Sequence, residues 1–157
     1  MIILKILIDV LDFGKIEVEL LKEYAPKTVE NFVSLVENNY FENSGFHRVI
    51  RGFMIQGGIG KTQAKPITGE FASNGFKNDL KHTRGVISMA RTNDPNSASS
   101  QFFIMHEDSP HLDGGYAAFG KVTSGLEVVD RIAGVKTNMM DAPNQKVIIN
   151  NISLLNE

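Results

Sequence analysis

The chain has 157 residues, 42% hydrophobic and 22% charged, with a net charge of −2 and no cysteine. That length suits one domain spanning 1–157, able to bury roughly two-thirds of its unfolded surface, and the composition is unlike that of disordered chains. The lack of cysteine fits a reducing, cytoplasmic setting, and the lack of a basic cluster or of a run of about 20 apolar residues gives no reason to expect a nucleic-acid or membrane partner.

Met1 to Val10 is apolar, but Lys5 and Asp9 interrupt it and no small-residue cleavage site follows, so it reads as a strand rather than a signal peptide. With the run up to residue 21 it predicts a hairpin turning at Asp12-Phe13-Gly14. Val29, Phe32, Val33 and Val36 then form the i, i+3, i+4, i+7 stripe of an amphipathic helix that starts at Pro26 and ends at Asn38-Asn39. Short apolar runs at 49–55, 67–71, 86–90, 102–105 and 116–122 predict strands. A second helical stripe, Leu126, Val129, Ile132 and Ala133, lies between Gly125 and a C-terminal cap at Gly134, and Val147 to Leu155 supplies a last strand. Strands that do not alternate with helices favour antiparallel pairing, so the pattern predicts a barrel or a sandwich with two helices packed outside. Polar Arg91 to Ser100 reads as a surface loop within the same domain.

Three segments carry the chemistry: Phe46-His47-Arg48-Val49-Ile50-Arg51-Gly52-Phe53-Met54-Ile55-Gln56-Gly57-Gly58, Met89-Ala90-Arg91, and Ser100-Gln101-Phe102-Phe103-Ile104. With Leu112-Asp113-Gly114-Gly115-Tyr116 and the helix at Pro26, they make the chain similar to the cyclophilins, from its first hairpin to its last strand. The resemblance implies a mainly all-β fold, a closed eight-stranded antiparallel barrel capped by two α-helices. It also implies a cofactor-free peptidyl-prolyl cis-trans isomerase, a compact form like the bacterial ones, that assists folding by turning X-Pro bonds in unfolded or flexible protein segments. Arg48 would be the catalytic residue. Phe53, Met54, Phe103 and Leu112 would hold the proline ring, and Gln56, Ala90, Arg91 and Gln101 the flanking backbone, with His111 and Tyr116 at the rim.

The reaction sets physical demands that these residue types meet. An X-Pro bond resists rotation by about 18–20 kcal/mol because rotation breaks amide resonance. As it breaks, the proline nitrogen regains a lone pair, so a donor aimed there is worth more in the twisted state than in the planar one. An arginine is a permanent cation with five N–H donors. One charged hydrogen bond nets about 1.5–3 kcal/mol, whereas a 10⁵-fold acceleration takes about 7 kcal/mol. An apolar, water-poor slot that favours the less polar twisted amide must supply much of the rest.

Strand parity is a partial check. Gln101 and Phe103 share one face, leaving Phe102 and Ile104 for the interior. Arg48, Met54 and Gln56 share a parity that Phe53 does not, so Phe53 joins them only if Arg51-Gly52 interrupts the strand. Taken singly, Arg48 would be a surface cation and the aromatic residues core, while Gln56 and Gln101 could as well satisfy strand ends.

Other motifs are weaker. Gly60-Lys61-Thr62 ends like a phosphate-binding loop, but Ile55 stands where the first glycine belongs and Pro66 follows too soon for the helix. His47, His82, His106 and His111 match no zinc spacing, and Asp108, His111 and Asp113 read as a polar surface loop. No G-x-S-x-G element occurs. Where many cyclophilins carry tryptophan and histidine, this chain has His111 and Tyr116, which implies weak cyclosporin binding. A monomer is expected. The rival reading is a proline-peptide binding or chaperone module with incidental turnover, to which an arginine aimed at the nitrogen would add little.

Overall fold

Alternating Ile6, Ile8 and Val10 on one strand and Ile16, Val18 and Leu20 on the next are all buried, while the residues between them are only partly covered. That period of two makes a two-sided hairpin of β1 (Leu4–Val10) and β2 (Gly14–Leu20), paired antiparallel from Leu4–Leu20 to Val10–Gly14. The computed structural model describes residues 3–155; the parts of the expected first strand on Met1 and Ile2 lie outside them. Further strands are β3 (Ser44–Ile50), β4 (Met54–Gly57), β5 (Val86–Met89), β6 (Phe102–Met105), β7 (Ala118–Ser124) and β8 (Ile148–Leu155). They close a barrel in the order β1-β2-β7-β5-β6-β4-β3-β8, every neighbouring pair antiparallel.

Two helices pack against this barrel, α1 (Pro26–Glu37) and α2 (Leu126–Ala133). α1 buries Val29, Phe32 and Val36, and the ring of Phe32 meets Phe41, Phe102 and Phe119 at centroid distances of 5.0, 5.5 and 5.2 Å. Ala25 offers no capping side chain at its start. The carboxylate of Glu70 takes that place, accepting hydrogen bonds from Thr28 N (2.7 Å), Thr28 Oγ1 (2.7 Å) and Lys27 N (3.3 Å). Gly125 begins α2 at φ +100°, where a Cβ would strike the carbonyl of Lys15. Gly134 does sit at the C-cap, though at φ −89° rather than in the left-handed turn typical of glycine there.

Two strand expectations need correction. The run 49–55 is the end of β3, a turn at Arg51–Phe53 and the start of β4, because Gly52 adopts φ +81° and reverses the chain. The run 67–71 is irregular, its polar groups tied individually: Gly69 N donates to Asn96 Oδ1, and Ile67 N to the Ala98 carbonyl. Residues 58–70 contain no helix behind Thr62, and the 91–100 segment is a loop tied down at the buried Ala98 and Ser100.

Candidate active site

A β-bulge sets the orientation on which the site depends. Phe46 pairs with Gly57 but Arg48 with Gln56, so His47 is an extra residue on β3. Strict alternation would put Phe46 and Arg48 on one face. The bulge instead sends Phe46 and Val49 into the core while Arg48 stands exposed on the outside of the sheet. Across the strands the register then runs Arg48–Gln56, Gln56–Phe103 and Phe103–Ser88, one row on the outer face of β3, β4, β6 and β5. The next row begins Ile50–Met54 and Met54–Met105.

This outer face carries a cleft of about 260 Å³ lined by Arg48, Phe53, Met54, Gln56, Ala90, Arg91, Phe103, Leu112 and Tyr116. Nine of the eleven residues singled out in the sequence therefore meet around one cavity. Met54, Phe103 and Leu112 belong to a small apolar cluster, separate from the barrel core, against which Phe53, Ala90 and Tyr116 pack. The tenth, Gln101, reaches the cleft through Gln56: Gln56 Nε2 donates to Gln101 Oε1 at 3.0 Å, and Arg48 Nη1 donates to Gln56 Oε1 at 3.3 Å. The eleventh, His111, is exposed, its ring 5.6 Å from that of Phe53. Phe53 enters the cleft from the turn at Gly52, the interruption that parity required.

Arg91 is more constrained than expected. Its guanidinium lies 4.7 Å from the centres of both the Phe71 and Tyr116 rings, and it donates to the carbonyls of Gly115 (Nη2 2.6 Å, Nε 3.2 Å) and Thr92 (2.8 Å). It thereby braces Tyr116 and the chain before it while still lining the cleft.

Two histidines near the cleft, His47 and His82, have a place in the fold that the sequence alone does not reveal. His82 is buried behind Phe103, its ring stacked on that of Phe103 at 6.1 Å and 18°. Its Nδ1 lies 3.0 Å from Asp113 Oδ1 and its Nε2 2.9 Å from Ser88 Oγ. A carboxylate only accepts, so Nδ1 carries the proton and Nε2 accepts from the serine hydroxyl. Asp113, expected on a polar surface loop, instead turns inward to the His82 backbone amide and ring, because a buried imidazole needs its partners. Burial lowers the pKa of His82 against the opposing pull of Asp113. Burial tends to raise the Asp113 carboxyl, but hydrogen bonds from the His82 backbone and ring outweigh it and leave the pKa below the usual value. The pKa of His47, the bulge residue, is likewise lowered by burial, opposed by the neighbouring Gln101 side chain, and its buried Nδ1 finds no hydrogen-bond partner among the described residues. The sequence offers both only as candidate metal ligands of no zinc spacing; among the described residues no group of three or more His, Asp or Glu could hold a metal ion.

The family model described as cyclophilin type peptidyl-prolyl cis-trans isomerase/CLD matches residues 4–154. A peptidyl-prolyl cis-trans isomerase of Acinetobacter baylyi is 45% identical over 153 residues, covering 91% of this chain and 81% of the relative. Peptidyl-prolyl cis-trans isomerase B of Escherichia coli is 40% identical over 154 residues, covering 90% and 94%. Among solved structures, a cyclophilin type peptidyl-prolyl cis-trans isomerase of Cryptosporidium parvum, crystallised in the presence of the dipeptide Ala-Pro, superposes with a TM-score of 0.87 at 31% identity, covering 98% of this chain and 99% of that one.

Proposed function

The chain belongs to the cyclophilin-type peptidyl-prolyl cis-trans isomerases, and we propose that it turns X-Pro bonds in the 260 Å³ cleft, with Arg48 as its electrostatic catalyst. The proline ring enters the apolar end formed by Phe53, Met54, Phe103 and Leu112. Gln56 and Gln101 hold the flanking backbone together with Ala90 and Arg91, while His111 and Tyr116 form the rim. The observation that carries this reading is the cross-strand row that puts a cation, tethered to Gln56 at 3.3 Å, beside a slot floored by Phe103. Arg48 keeps donors free because only Nη1 is engaged by the protein among the described residues. As the amide twists, the nitrogen lone pair gains an acceptor's strength that the planar bond lacks, so the guanidinium stabilises the twisted state selectively. No bond forms or breaks, and neither nucleophile nor titrating base is needed.

Replacing Arg48 by alanine tests the role. Exchange NMR on a short X-Pro peptide is expected to show slower turning on the protein with binding retained; an unchanged rate removes Arg48 from the mechanism.

The substrates are proline-containing peptides and unfolded or flexible protein segments. The relative solved with Ala-Pro supports this, as does the open, exposed setting of Arg48. His111, in the position where many relatives carry tryptophan, offers cyclosporin a smaller ring, so inhibition well weaker than nanomolar is expected, and a nanomolar inhibition constant would refute it. We assign residues 1–157 to one isomerase domain acting as a monomer. No helix among the described residues is long and apolar enough to cross a membrane, and the absence of cysteine supports a reducing, cytoplasmic setting.

A further inference from the structure

We propose that His106 is a positioning residue of the isomerase: through the backbone amide of Gly52 it fixes the turn that presents Phe53 to the proline ring. This rests on the assignment of Phe53 to the proline slot. His106 follows directly on β6, the strand whose Phe103 floors the cleft. Its ring reaches across to the β3–β4 turn, where Gly52 N donates to His106 Nδ1 at 2.9 Å. The backbone of the same residue holds the carbonyl of Phe53, His106 N donating to Phe53 O at 2.9 Å. One residue thus grips the turn at two points, the 51–52 and 53–54 peptide units on either side of the Gly52–Phe53 bond.

The far side of the imidazole settles which nitrogen carries the proton. His106 Nε2 lies 3.2 Å from Asp130 Oδ1 on α2. Asp130 takes a forked pair of bonds from Arg84, at 2.7 and 2.8 Å, which holds its carboxyl below the usual range. Arg84 also donates to the carbonyl of His106 at 3.0 Å. An ionised carboxylate accepts and never donates, so Nε2 bears the hydrogen and Nδ1 presents its lone pair to Gly52. The arrangement is a relay of orientation from α2 through Asp130 and His106 to the turn. Only its last link is a backbone amide, and it sits one residue from a side chain lining the cleft.

The turn closes on its own hydrogen bond, Phe53 N donating to Ile50 O at 3.0 Å, and Glu107 N also reaches Phe53 O at 3.4 Å, so what the imidazole adds is a hold on the Gly52 amide. Gly52 is exposed, at φ +81°, with open space where a Cβ would be, and glycine is the residue least restricted by its own backbone. Without the imidazole acceptor the Gly52 amide turns to water, and Phe53, half-buried against His111, is held less firmly although its bond to Ile50 O still closes the turn. Phe53 is one wall of a slot whose other walls, Met54, Phe103 and Leu112, stay in place and keep the apolar surroundings of the turning bond, so misplacing Phe53 chiefly loosens the grip on the proline ring and weakens binding.

The test is steady-state isomerisation of a short X-Pro peptide by the parent and by His106→Ala, His106→Gln and His106→Asn, with the Gly52 amide followed by hydrogen exchange. Alanine and glutamine are expected to raise KM about three- to tenfold with kcat within about twofold, as suits one lost hydrogen bond. Both also speed Gly52 exchange. Asparagine, whose amide oxygen lies where Nδ1 does, restores KM and Gly52 protection, whereas glutamine reaches only toward Asp130. Parent-like KM in the glutamine variant, or an equal rise in all three variants, overturns the proposal. Phe53→Ala separates the two readings: if it leaves KM unchanged, the proline-slot assignment fails; if it raises KM while His106→Gln does not, only the tether fails.

Discussion

At Arg48 the decisive fact is a single inserted residue. Because His47 bulges out of register, the guanidinium meets Gln56, and through it Gln101, instead of following Phe46 into the core. The sequence motif points to Arg48 and to the parity of Gln56 and Met54, but no local pattern announces a bulge. The same limit hides His82, whose role depends on Asp113 and Ser88 at sequence distances of 31 and 6. Both lowered histidines carry a consequence for stability. Burial disfavours their protonation in the fold, so the unfolded chain binds protons more readily below the ordinary histidine pKa of 6.5. Stability from these groups is therefore complete above that pH and lost as pH falls toward their depressed folded values. The midpoint of thermal unfolding should drop between pH 7 and pH 5, and more steeply in the parent than in His82→Gln. Equal slopes would mean that His82 is not held neutral by the fold. The carboxyls of Asp113 and Asp130, with depressed pKa, act in a separate window below about 3.8.

The two helices show what an amphipathic stripe tells and what it leaves out. Val29, Phe32 and Val36 mark the buried face of α1 in advance, and the structure buries all three. Nothing near Pro26 reveals that the cap is Glu70, more than 40 residues away and only 2% exposed. Glu70→Ala should leave the buried Thr28 amide and hydroxyl unsatisfied and destabilise the protein by about 1–3 kcal/mol in urea unfolding. A loss below about 0.5 kcal/mol would show that water replaces the cap. The sequence predicts eight strands and the described residues form eight, yet two differences offset each other. The run 49–55 joins the end of β3 to the start of β4 in one apolar stretch, so the Ser44–Arg48 part of β3, where Phe46 is the single large apolar residue, lies outside it. The run 67–71 looked like a strand, but its backbone groups bond to the 96–98 loop instead of a ladder. Composition reports local preference, whereas pairing is decided by distant partners.

The barrel as a whole lets two apolar populations coexist without competing. Phe102 and Ile104 point inward to the core with α1, while Phe103 and Met105 on the same strand point outward to the cleft cluster. Closing the sheet fixes the row Arg48–Gln56–Phe103–Ser88 across four strands, so a cation and an apolar slot are held side by side before any peptide arrives. That preorganisation bears on the magnitude required, since one hydrogen bond falls short of the roughly 7 kcal/mol behind a 10⁵-fold acceleration. On this account Arg48 contributes about 1.5–3 kcal/mol, and the apolar slot with its backbone anchors contributes the remainder. The most direct test is the cis/trans exchange rate of a short X-Pro peptide saturating the parent and the Arg48→Ala protein. A fall of about 10- to 150-fold with peptide affinity kept within a few-fold is predicted; a rate unchanged on saturation, or one lost only in step with affinity, would contradict selective stabilisation of the twisted bond.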